Sequence, residues 1–291
     1  FVMNIIQIFE QEQIEKLNEV ISQKFDYIKT IEKNFSITFD GLPRLIMLDR
    51  YSQKDEEKKT LQKGDLVLTT IKYDHQFPGK GIGKIVDKLK SDNCWIIEIE
   101  EEYEKTIDKE LLINAENSRL IKKNIDEIIK PLEIFYEQIA WRVSREISRQ
   151  EKDEQLKKEF FEKFYEEIKN LKIVPAGRVL FGAGSNSEVT YFNCFVMPFV
   201  KDSREGIADH RKEVMEIMSR GGGVGTNGSC LRPRGSTVSS VKGRTSGAVS
   251  WLNDISLLTD LVESGGTRRG AQMIMLSDWH PDIIEFIVSK I

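Results

Sequence analysis

Cys194 lies in an apolar run, Asn193-Cys194-Phe195-Val196, and two glycine clusters follow it in the chain. The first is Gly221-Gly222-Gly223-Val224-Gly225-Thr226-Asn227-Gly228 and the second is Gly265-Gly266-Thr267-Arg268-Arg269-Gly270. Clustered glycines let a backbone turn through positive φ and bring its N–H groups close to a ligand. Arg220, Arg232, Arg268 and Arg269 sit at or beside the clusters, and their planar, permanently charged guanidinium groups suit phosphate. A thiol that the apolar run would bury, flanked by two such loops, points to redox chemistry on a nucleotide. An isolated cysteine in an apolar strand also fits a small core hydrophobe, and at this level that alternative stays open.

Familiar loop types do not account for the glycines. Gly223-x-Gly225-x-x-Gly228 has the letters of the dinucleotide fingerprint, but a predicted helix precedes it and no acid follows at the ribose spacing. No Lys-Ser or Lys-Thr follows, which excludes a P-loop. Asp202-Ser203 suits an N-cap for the helix after it. His280, just before Pro281, reads as a helix-entry residue without metal partners, and no metal site is expected. Cys94, Cys194 and Cys230 are an odd number, far apart, with no C-x-x-C. That excludes a secreted disulfide framework and a zinc site, and points to the cytoplasm. The net charge of −4 argues against a nucleic-acid polymer as partner. No run approaches the roughly eighteen apolar residues of a membrane span.

The elements that must position these residues follow from hydrophobic periodicity. With 40% hydrophobic and 31% charged residues in 291, the chain can build a core. Ile14, Leu17, Val20, Ile21 and Phe25 form a helical stripe, and a charged linker opens at Arg50 and ends near Lys59. From 61 to 103 the period is two, with strands at 65–71 and 94–99 and a turn through Gly79, Gly81 and Gly83. This predicts a small β-barrel-like module with Cys94 in its core and His75 in a loop. Two helices are predicted over 122–170, the first running through Ile125, Leu132, Ile139 and Val143 with a break or kink at Pro131. Beyond 171 strands and helices alternate: a strand or turn at 178–184, a buried strand at 192–199, helices at 210–220 and 249–262, a strand at 272–276 and a last helix after Pro281. Such alternation implies an α/β layer or barrel. The expected parts are thus a helical segment 1–60, the β module 61–106, a helical segment 107–170 and an α/β unit 171–291.

Several motifs occur in one order. After Asn193-Cys194-Phe195-Val196 come Asp202-Ser203-Arg204-Glu205-Gly206-Ile207, the first glycine cluster, Leu231-Arg232-Pro233-Arg234-Gly235 and Ser246-Gly247-Ala248-Val249-Ser250-Trp251. The second glycine cluster and Trp279-His280-Pro281-Asp282-Ile283 complete the series. It resembles the large catalytic chain of ribonucleotide reductase, most closely the adenosylcobalamin-dependent class II, over about 174–291. The stretch from Arg50 to Tyr103 resembles an N-terminal region of some class II members.

The resemblance implies the first half of the family's ten-stranded α/β barrel. It implies Cys194 as one of the two reducing cysteines, and Ala176, Asn193, Gly222, Gly223 and Arg268 at the substrate. Asp202, Ser203, Arg232, Ser264, Gly265, Gly266 and Thr267 would bind a deoxynucleoside triphosphate or ATP as allosteric effector. The helices at 210–220 and 249–262 would form a homodimer interface there, with Arg268 as messenger between effector and substrate. The radical-bearing cysteine, the second reducing cysteine and most of the cobalamin site would lie beyond Ile291. The chain is therefore expected to act with a C-terminal half, as a split or truncated enzyme, on nucleoside di- or triphosphates and with a thioredoxin-like reductant. Cys230 stands where serine is usual. A class I large subunit and a non-catalytic nucleotide-binding fragment are the alternatives.

Overall fold

A computed structural model of the chain describes residues 10–290 apart from 59, 75–77, 90–92, 115–116, 241 and 265–267, and leaves the side chains at 114, 117–118, 263–264 and 268–269 undescribed. His75, Gly265, Gly266 and Thr267 therefore lie outside the described residues. The chain divides into two compact units, Phe1–Asn186 and Ser187–Ile291.

In the first unit, helix α1 (Gln11–Lys24) turns the predicted stripe inward, with Ile21 buried and Ile14 and Leu17 packed against a core. The stretch expected as a charged linker is instead folded into that core. After α2 (Gly41–Ile46) and a wide π-helical turn at Met47–Tyr51, Ser52, Gln53 and Asp55 are buried. Their polar groups are matched by Glu133 and Thr60, so burial costs little.

The β module is larger than its periodicity indicated. Strands β1 (Leu66–Lys72), β2 (Gly79–Lys88), β3 (Cys94–Ile99), β4 (Leu112–Asn114), β5 (Asn117–Asn124) and β6 (Ile128–Ile129) form one sheet in the order β4-β5-β3-β2-β1-β6. Gly79, Gly81 and Gly83 lie within β2 rather than in a turn, and a Cβ at Gly83 would fall 2.7 Å from the Glu98 carbonyl oxygen of the neighbouring strand. Cys94 is buried, as expected of a small core residue. The helix predicted through Ile125 and Ile128 is not there: Ile121 and Ile128 fill the sheet core. Their apolar spacing fits either period over so short a run, and pairing of β5 with β3 and of β6 with β1 decides for strand.

Helix begins only at Tyr136, beyond Pro131. α3 (Tyr136–Ser148) and α4 (Glu154–Lys169) pack together, and α5 (Gly177–Gly182) replaces the predicted strand or turn at 178–184. Leu180 and Ala183 enter the same core as Leu48 and Val143. The first unit thus runs on to 186, past the expected limit at 170. Fully buried Arg142 holds α5 in place by donating to the Leu180, Phe181 and Ala183 carbonyls while paired with fully buried Glu133.

The second unit is a βαβ series. Strands β7 (Cys194–Val196), β8 (Gly223–Asn227) and β13 (Gln272–Met275) form a parallel sheet in the order β13-β8-β7. Helix α6 (Arg204–Ser219) connects the first pair; two-residue strands β9 (Thr237–Val238) and β10 (Gly243–Arg244), helix α7 (Ala248–Leu261) and strands β11 (Glu263–Ser264) and β12 (Arg268–Arg269) precede β13. Helix α8 (Ile283–Val288) follows. This is a partial α/β barrel. Val224 packs with Val214, Met218 and Leu258 between sheet and helices, and Leu231, Ala248 and Leu252 form a second cluster.

Candidate active site and neighbouring cleft

Register decides which side chains share a face. Cys194 pairs with Gly223, Val196 with Gly225, and Met273 also with Gly225, so these lie on one face of the sheet. Val224 and Thr226 alternate to the other face, under α6 and α7, where both are buried. The first face is open: Cys194 is exposed, Val196 is 90% exposed and Met273 is 63% exposed. The expectation of a buried strand over 192–199 is thereby corrected. Only three of those residues are strand: Cys194 and Val196 point away from the helices, onto a face that no described residue of this unit covers, while Phe195 and Met197 turn to the helix side.

Glycine matters here for close approach. A Cβ at Gly223 would stand 3.1 Å from Cys194 Sγ and 3.3 Å from the Asn193 carbonyl oxygen, which already accepts the Gly223 N–H at 2.7 Å. The cluster is a strand, not the loop its composition indicated, and only its first residues turn. Gly221, at φ +87°, ends α6 with its N–H on the Met218 carbonyl, while the Gly222 N–H reaches Ile217. That pair of bonds is a Schellman closure, and its left-handed residue favours glycine. The structure thus brings Cys194, Asn193, Gly222 and Gly223 together. Ala176 is exposed at the N-cap of α5 in the first unit. Arg268 and Ser264 are described by backbone only, paired across the β11–β12 ladder. Cys230 is exposed and, like Cys194, free.

A cleft of about 980 Å³ opens beside the start of α6. Ser203 caps that helix, accepting the Gly206 N–H at 3.0 Å. Asp202 Oδ2 accepts from Arg232 Nε at 2.7 Å, and the Asp202 carbonyl accepts from the same guanidinium at 3.2 Å. Arg232 therefore stands fixed at the cleft with its charge partly met. Sequence reasoning missed the opposite wall, made by Ser239, Arg244, Ser246 and Trp251. The signal was present, since Arg244 lies in a Gly-Arg-Thr-Ser tract resembling the other glycine-arginine pairs. Hydroxyls, three arginines (Arg204, Arg232 and Arg244), a helix N-terminus and an indole together suit a phosphorylated, ring-bearing ligand.

A polar chain behind the sheet, buried at His210 and Thr226 and half-buried at Gln272 and Thr259, was also not foreseen. His210 Nε2 lies 3.0 Å from Thr226 Oγ1, which accepts from Gln272 Nε2 at 2.7 Å; Gln272 Oε1 accepts from Thr259 Oγ1 at 2.7 Å. It joins α6, β8, β13 and α7. Burial pushes the His210 imidazole below the ordinary histidine range, with Glu213 opposing. Its members are scattered through the sequence, so no local pattern could reveal it.

Comparison with known proteins gives this geometry its context. The barrel domain of ribonucleotide reductase matches residues 192–291, and the all-alpha domain of ribonucleotide reductase matches 118–188. These segments belong to the ribonucleotide reductase family. A vitamin B12-dependent ribonucleoside-diphosphate reductase of Thermoplasma acidophilum is 41% identical over 131 residues, 45% of this chain and 17% of that protein. The protein of the same name from Mycobacterium tuberculosis is 36% identical over 129 residues, 44% of this chain and 18% of its own. A ribonucleoside-diphosphate reductase large subunit from Danio rerio is 34% identical over 116 residues, 40% of this chain and 14% of its own. The matched stretch thus spans less than a fifth of these ribonucleotide reductases. The all-alpha match begins within β5, so in this chain that region includes the last strands of the sheet. Among the described residues no helix is long and apolar enough to cross a membrane.

Proposed function

We propose that this chain is part of a class II ribonucleotide reductase, supplying one reducing thiol, a substrate-facing strand and an effector cleft. The observation that carries the reading is the exposed Cys194 on the open sheet face, beside a position where only a hydrogen separates the backbone from the sulfur. Replacing a ribose hydroxyl by hydrogen takes two electrons and two protons. Cys194 and a second cysteine outside these residues would give both, becoming a disulfide as the hydroxyl leaves as water. A thioredoxin-like reductant would then restore the two thiols. Glycine at 223, beside Cys194 on the open face, leaves room for a nucleoside di- or triphosphate over the strand.

Among the described residues no three His, Cys, Asp or Glu side chains converge on a metal position. His210 and His280 are buried, with ring nitrogens engaged by Thr226, Leu231 and Asp282. The radical source we propose is adenosylcobalamin held by chain outside these residues, after the vitamin B12 dependence in the names of two relatives. The Danio rerio large subunit favours one other reading, a class I chain whose radical comes from a metal-bearing partner. Activity without cobalamin but with such a partner would select it.

The cleft at Asp202, Ser203 and Arg232 would take a deoxynucleoside triphosphate or ATP as effector. Exposed Met215 on α6 and Leu257 and Leu261 on α7 support a homodimer through those helices. The deciding experiment joins the chain to the remaining part of the enzyme and compares Cys194→Ser with wild type. Loss of multiple turnover with effector binding kept is expected; retained multiple turnover removes Cys194 from the mechanism.

A further inference from the structure

We infer that Asp282 and His280 are positioning residues for the effector cleft, clamping both feet of the segment that forms its far wall; the inference rests on the nucleotide reading of that cleft. The helix-entry motif Trp279-His280-Pro281-Asp282 does more than start α8. Asp282 is buried, and its carboxylate turns away from its own helix. Both of its oxygens lie 3.0 Å from the Arg234 N–H, and Oδ2 also accepts the Ala248 N–H at 3.0 Å. Ala248 is the first residue of α7, so one carboxylate serves the positive end of that helix and the far foot of the β9–β10 hairpin together.

His280 fixes the segment one step earlier. Its Nδ1 accepts the Asp282 N–H at 3.1 Å, which leaves the ring proton on Nε2, and Nε2 donates to the Leu231 carbonyl at 2.8 Å. Gly247 makes the close approach possible. It has φ +95°, and a Cβ there would lie 2.8 Å from both Asp282 Oδ2 and Arg234 Cβ. The clamp therefore closes only with glycine at this foot. Between the feet, the Gly235 N–H donates to the Thr245 carbonyl and the Thr245 N–H to the Ser236 carbonyl, both at 3.0 Å, so the arms move as one piece. That piece carries Ser239, Arg244 and Ser246 of the wall opposite Asp202, and α7, clamped at Ala248, adds Trp251 to it. Arg232 bridges the walls at the cleft, from Asp202 to the Thr237 carbonyl, and behind it the feet are held by a carboxylate and an imidazole that line neither wall.

The test uses the full 291-residue chain and equilibrium binding of dATP, dGTP and dTTP. Asp282→Asn keeps the shape but turns an amide NH₂ toward one of two N–H donors, and should weaken the tightest of the three by about tenfold or more. Val214→Ala, in the core behind the sheet, serves as a control that lowers thermal stability without touching the clamp; its affinity should stay within about twofold of wild type. Hydrogen exchange in peptides covering 231–248 should quicken in Asp282→Asn and not in Val214→Ala. Should Asp282→Asn fail to fold, His280→Gln, which keeps a donor but loses the acceptor for the Asp282 N–H, should weaken binding by about threefold or more. Wild-type binding with Asp282→Asn, or a folded His280→Gln, at wild-type affinity overturns this inference alone. Equal loss of affinity in Asp282→Asn and Val214→Ala does the same, since the effect is then one of general stability. A wild-type chain that binds none of the three nucleotides overturns the nucleotide reading and this inference with it.

Discussion

Replacing Thr226 by valine removes one hydroxyl from the polar chain behind the sheet and changes little else in shape. Thr226 is fully buried, and His210 is 5% exposed. The hydroxyl accepts from Gln272 Nε2 and pairs with His210 Nε2, so valine leaves two polar groups facing a methyl. The buried His210 nitrogen left unsatisfied costs about 1–3 kcal/mol, while half-buried Gln272 can turn to water, which puts Thr226→Val at about 1–3 kcal/mol of lost stability. That is a large part of the stability of a domain, typically about 5–15 kcal/mol. Urea unfolding followed by circular dichroism measures it directly. Adding Gln272→Leu removes one orphaned partner, so the double variant should be more stable than the sum of the singles by about 1–2 kcal/mol. A single substitution within about 0.5 kcal/mol of wild type, or strictly additive singles, would refute the view that this chain bridges α6, β8, β13 and α7.

Two further outcomes follow from the same packing. His210 is held below its ordinary value by burial, so between that lowered value and about 6.5 the unfolded chain binds more protons than the folded one. Stability should therefore fall as pH drops below about 6.5 and be insensitive to this group above it; His210→Gln should remove that component, and a wild-type-minus-variant difference constant with pH would contradict it. Gly222→Ala would place a Cβ 2.5 Å from Ile217 Cγ2 and 2.9 Å from the Phe195 ring, costing about 1–3 kcal/mol in urea unfolding. Gly225→Ala meets only the Phe195 carbonyl oxygen at 3.8 Å and should be close to neutral; equal costs at the two sites would show that crowding is not the cause.

Local chemistry was legible where a residue acts on its neighbours. Ser203 caps α6, the amphipathic stripes of α1 and α4 lie where the period of 3.6 puts them, and the order of motifs from Asn193 to Ile283 carries the family. The apolar spacing at Ile125 and Ile128 did not distinguish helix from strand, because over so few residues both periods fit; pairing of Ile128 with β1 settles it, with Ile125 in a single 3₁₀ turn before it. Nor does an apolar run say which face will be covered. Cys194 and Val196 look like core in sequence, yet the register of β7 on β8 turns them to the open side and Phe195 to the helices. The partners of Asp282, His280 and Thr226 come from distant parts of the chain, and their distances depend on helices and strands already being packed. Residue types, caps and motif order were thus set by sequence alone. Exposure, register and long-range polar bonds were decided only by tertiary structure, because each depends on what another segment places opposite.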